Sequence, residues 1–74
     1  MMQENSSRPP FGEWLLQQGK RSGWIGDLSA AAARDRGFPR KGGIDEVRKR
    51  MVDIGADPDA FEALDDAELD WLAV

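Results

Sequence analysis

With 74 residues and no cysteine, histidine or tyrosine, the chain has room for one domain. That composition excludes disulfide stapling, thiolate or imidazole metal sites, and the Ser–His and Cys–His nucleophile pairs. The net charge of −4 hides a division: the first fifty residues carry ten bases against six acids, whereas eight acids and no base follow from Met51 onward.

Residues 1–8 are polar and lack the apolar stretch of a secretory signal, and they read as a disordered tail ahead of a domain spanning 9–74. No apolar run approaches the ~20 residues of a membrane span, so the expectation is a soluble cytoplasmic protein without membrane contact. Pro9-Pro10 opens a first helix, in which Phe11, Trp14 and Leu15 form one apolar stripe and Gly19 and Gly23 mark the end. A second helix is expected to begin between Trp24 and Asp27, capped by Ser22 or Asp27, and to end near Gly37. Its run Ala30 to Ala33 combines high helix propensity with little bulk, which lets another helix approach closely.

Ile44, Val47, Met51 and Ile54 space out a third amphipathic helix, with Asp45 and Glu46 in its first turn and Gly55 as its stop. Asp57-Pro58 is an N-cap followed by proline at the first helical position, a start signal for a fourth helix. Asp65 and Glu68 have capping-box spacing, which predicts a new start and a short fifth helix; one continuous helix from Pro58 to Leu72 is the alternative. The reading is therefore an all-α single small domain of four to five short helices. Its expected core is Phe11, Trp14, Leu15, Ile25, Leu28, Ala32, Phe38, Ile44, Val47, Met51, Phe61, Leu64, Leu69 and Leu72.

The order of these features resembles a known family. Trp14-Leu15-Leu16, the helix start Ile25-Gly26-Asp27-Leu28, the corner Asp35-Arg36-Gly37-Phe38-Pro39, the Ile-led third helix and the acidic, tryptophan-bearing end look like the YozE family of small bacterial proteins. The resemblance covers roughly residues 11–72 and implies a sterile-alpha-motif-like (SAM-like) bundle. Gly12 stands where family members usually carry a second aromatic, and Gly42-Gly43 makes a looser corner than usual. The fold implied is used for protein–protein contact, self-association and, in some branches, nucleic-acid binding. It brings no catalytic residues.

The residues themselves point the same way. Neighbouring carboxylates such as Asp45–Glu46 and Asp65–Asp66 diverge by about 100° on a helix and do not converge as an acid/base pair. The glycines at 19, 23 and 26 follow no strand, which leaves a phosphate loop unsupported. The expectation is thus no enzyme, no cofactor and no metal. Two charged faces remain as candidate interaction surfaces: a basic one of Arg34, Arg36, Arg40, Lys41, Arg48, Lys49 and Arg50, and an acidic one of Asp59, Glu62, Asp66, Glu68 and Asp70. Trp24 and Trp71 are candidate aromatic anchors. The partner expected is another protein, with the chain a monomer or weakly self-associating. Nucleic acid on the basic patch is the alternative, which requires the second and third helices to pack with those faces together.

Overall fold

The structure, a computed structural model, describes residues 8–74; of the tail expected over 1–8, all but Arg8 lies outside the described residues. Among the described residues there are four helices: α1 Phe11–Leu16, α2 Trp24–Arg34, α3 Ile44–Asp53 and α4 Pro58–Leu72. No strand occurs among the described residues, and no helix among them is long and apolar enough to cross a membrane. α4 packs along α2, while α1 touches the other three helices. α2 and α3 do not pack on one another.

α1 stops at Leu16, sooner than the glycines suggested. Beyond it come the polar Gln17 and Gln18, which have no apolar face to bury. Their N–H groups bond back three residues, to Trp14 and Leu15 carbonyls, and the Gln18 amide donates to Trp14 O at 3.0 Å. Gly23 rather than Ser22 or Asp27 occupies the N-cap of α2, and no side chain caps that helix. α2 ends at Arg34 because the next residue, Asp35, turns to extended backbone. Gly37 is therefore not the terminating glycine of α2.

α3 starts with a one-sided cap, in which Glu46 Oε1 accepts the Gly43 N–H at 2.7 Å. It ends in a Schellman motif: Ala56 N–H donates to Met51 O at 2.9 Å and Gly55 N–H to Val52 O at 3.1 Å, with Gly55 at φ +71°. α4 begins as its sequence predicts, with Asp57 Oδ1 accepting the Ala60 N–H at 3.1 Å and Pro58 at the first helical position.

α4 then runs unbroken to Leu72, so no fifth helix starts at Asp65. The Asp65 carboxylate is taken instead by Arg48 of α3, whose Nη2 donates to it at 2.9 Å. The inward face of α4 is Ala60, Ala63, Leu64, Ala67 and Trp71, successive turns of one stripe. Leu69 and Leu72 fall off that stripe and are exposed, against the expectation that both are core. Ile44 and Phe61 pack against the core while only half-buried. The remaining expected core residues are buried, and Ala63 and Ala67 join them.

Candidate functional site

The basic residues singled out by sequence do not form one free patch. Arg50 is tied to Asp35, its Nε donating to Oδ2 at 2.9 Å and its Nη2 to Oδ1 at 2.6 Å. This hydrogen bonding outweighs burial and, with the Gly37 N–H as a further donor, holds the Asp35 carboxyl at about 2, below its ordinary 3.8. Arg50 is correspondingly shifted upward by the Asp35 hydrogen bond. Arg48 bridges Asp65 at 2.9 Å and Glu68 at 3.8 Å, and Lys41 lies 3.9 Å from Glu13. Among the described residues, Arg34, Arg36, Arg40 and Lys49 make no ion pair. Since α2 and α3 do not pack together, the condition for a joined basic patch is not met.

The acidic face divides similarly. Asp70 pairs with Arg21 at 2.9 Å and Glu68 with Arg48, while Asp66 Oδ2 accepts the indole N–H of Trp24 at 3.1 Å. Asp59 and Glu62 remain unpaired among the described residues. Much of the charge division read in the sequence is thus closed inside the molecule, with α4 as the acidic partner of α3 and of the turn before α2.

The two tryptophan candidates part company. Trp71 turns inward: its ring meets Phe11 edge-on at 5.6 Å, its Nε1–H donates to Pro9 O at 2.7 Å, and the Arg8 guanidinium sits 5.2 Å above it. Arg8 also donates to Leu72 O at 2.9 Å, so this residue, assigned by sequence to the tail, closes the end of α4. An aromatic so engaged is a structural residue and not an anchor for a partner. Trp24 is the opposite case, 43 % exposed at the start of α2.

Trp24 stands at a groove between α2 and α4. Leu28 and Ala31 of α2 and Ala60 and Ala63 of α4 line it, with Asp27, Asp57 and Asp59 around them, and it encloses about 310 Å³. Small alanines on both helices leave this space, because neither side offers a chain long enough to fill it. A second, smaller hollow of about 90 Å³ adjoins it where α2 and α3 stand apart, walled by Ala32, Val47 and Met51 and edged by the Asp35–Arg50 pair. Leu28, Ala31 and Ala60 belong to both.

Sequence reasoning missed the groove, though half of it was legible. Trp24, Asp27, Leu28 and Ala31 have the spacing of one helical stripe. Asp57 and Asp59 join them only through the packing of α4 on α2. Among the described residues there is no cluster of His, Cys, Asp and Glu able to hold a metal ion. Compared with protein-family models, curated proteins and solved structures, the chain matches none.

Proposed function

We propose that this chain is a small, non-enzymatic, cytoplasmic protein-interaction module with the SAM-like fold its YozE-like motif order implies. The observation that carries the reading is Trp24. Its indole is left 43 % exposed at a groove with an apolar floor, and exposed aromatics in concave settings are where interfaces concentrate their binding energy. The charged faces then act as a polar rim and not as the docking surface itself. The domain works as a monomer or weakly self-associating chain, and its partner is a protein.

A second reading, nucleic-acid binding, draws on Arg34, Arg36, Arg40 and Lys49, which are unpaired among the described residues. Against it stand the net charge of −4 and the engagement of Arg48 and Arg50 by carboxylates. A photo-crosslinking amino acid placed at position 24 and, separately, at position 49 tests the two readings in the source cells. Protein adducts specific to position 24 support the interaction module. Nucleic-acid adducts at position 49, with none at position 24, overturn it in favour of the second reading.

A further inference from the structure

The α2–α4 groove is apolar in its floor and of one sign at its rim. Leu28, Ala31, Ala60 and Ala63 form the floor, and every charged residue lining it is an aspartate. Each aspartate has a local role: Asp57 caps Ala60 N–H, and Asp27 and Asp59 lie in first helical turns, where the helix dipole favours acids. Those roles explain the acids one by one. They do not explain an exposed indole held between them.

The Trp24 Nε1–H donates to Asp66 Oδ2 at 3.1 Å, which favours one rotation of the ring and reduces the ordering to be lost on docking. An electron-rich ring face in a groove whose charged lining is all aspartate is a setting for a cation. The floor of alanines and Leu28 suits an aliphatic chain, and about 310 Å³ is at the small end of ligand-sized pockets, enough for side chains of a segment.

Resting on the interaction-module reading, we infer that this groove takes a lysine- or arginine-bearing segment of a protein partner. The aliphatic stem of the basic residue and an apolar neighbour lie on the Leu28–Ala31–Ala60–Ala63 floor, and the cationic head reaches Trp24 between Asp27 and Asp59. Charge complementarity selects this occupant. A phosphate backbone meets three carboxylates, and a second copy of the chain, although it carries Arg34, Arg36, Arg40 and Lys49, brings them with a net charge of −4.

The test is an NMR titration of the labelled full chain with a short amidated peptide of repeated Lys-Leu-Ala-Ala units, and with its Glu-Leu-Ala-Ala counterpart. The lysine peptide is expected to move the Trp24 indole N–H and the amides of Asp27, Asp59, Ala60 and Ala63, and the glutamate peptide to leave them in place. Trp24→Ala is expected to weaken binding roughly tenfold. Asp27→Asn and Asp59→Asn are each expected to weaken it by roughly fivefold or less, an effect that shrinks as salt is raised. Asp57→Asn keeps the helix cap while removing the charge, so all four variants remain folded by circular dichroism.

Equal response to both peptides, or shifts confined to the exposed Leu69 and Leu72, overturns the groove assignment and leaves the interaction module standing. Groove shifts that follow protein concentration without peptide assign the site to a second copy and overturn the basic partner. Silence toward both peptides, together with nucleic-acid adducts at position 49, removes the interaction reading as well.

Discussion

Arg50 of α3 grips Asp35, the residue that follows α2, through two parallel hydrogen bonds of 2.9 and 2.6 Å. The two helices do not otherwise pack on each other, and a hollow lies between them. Planar, two-point pairing of this kind fixes geometry in a way a single lysine contact cannot. The pair thus ties α3 to the end of α2.

Its signature is in the acid range. The Arg50 hydrogen bond, opposed by burial and helped by the Gly37 N–H, lowers Asp35 from 3.8 to about 2. A carboxyl whose folded value is depressed contributes stability that is fully present above 3.8 and is lost as the pH falls through about 2. Urea midpoints measured across that window are expected to fall for the wild type. Asp35→Asn is expected to start lower and to show a shallower fall. Parallel curves for the two proteins refute the assignment.

Gly37 belongs to the same device. A Cβ built there meets the Arg50 guanidinium, 2.8 Å from Nη1 and closer still to Cζ and Nη2. The obstruction is the far end of a flexible side chain, so Gly37→Ala is expected to fold with Arg50 displaced. The measurable consequence is coupling: Gly37→Ala flattens the acid-range fall in wild type and adds little in the Asp35→Asn background. Additive effects in the double variant break the link between the two positions.

How much of this was legible depended on whether a contact is local. Val47 and Met51 of the α3 stripe, the Asp57-Pro58 start and the Gly55 stop follow from spacing and cap chemistry within a few residues and are found where the sequence puts them. Ile54 of that stripe falls just past the helix and is exposed. Asp65 and Glu68 have the same local grammar and deceived it, because the Asp65 carboxylate is taken by Arg48, seventeen positions away in sequence. Trp71 and Leu72 compete for one inward direction. Phe11, Pro9 and Arg8 decide between them, all supplied by the opposite end of the chain. The groove was half-visible for the same reason, since Asp57 and Asp59 reach Trp24 only through tertiary packing.

Ser29 offers a test of the α2 interior. It is 1 % exposed amid alanines, and its Oγ has no hydrogen-bond partner among the described residues. A buried hydroxyl without a partner costs stability that a methyl group does not. Gly19 is its neighbour, and a Cβ added there would come 3.7 Å from the Ser29 oxygen, an ordinary contact. Ser29→Ala is expected to raise unfolding free energy by about 1 kcal/mol in urea titrations. A loss of stability instead means that the hydroxyl is satisfied in solution.

Trp71 and Trp24 separate stability from function. Trp71 packs edge-on to Phe11, donates to Pro9 O at 2.7 Å and lies under the Arg8 guanidinium, so its removal opens the seam between the chain start and α4. Trp71→Ala is expected to cost about 3 kcal/mol, the low end for a tryptophan because the ring is only half-buried. A domain this small has a stability of only a few kcal/mol, so this variant is expected to be largely unfolded. Trp24→Ala loses an exposed ring and one exposed hydrogen bond, and is expected to stay within about 0.5–1 kcal/mol of wild type. Acrylamide quenching provides an independent reading: one accessible and two protected tryptophans in wild type, with the accessible fraction gone in Trp24→Phe. Three protected tryptophans bury the anchor and remove the basis of the proposed docking site, whereas a destabilised Trp24→Ala reassigns Trp24 to the core.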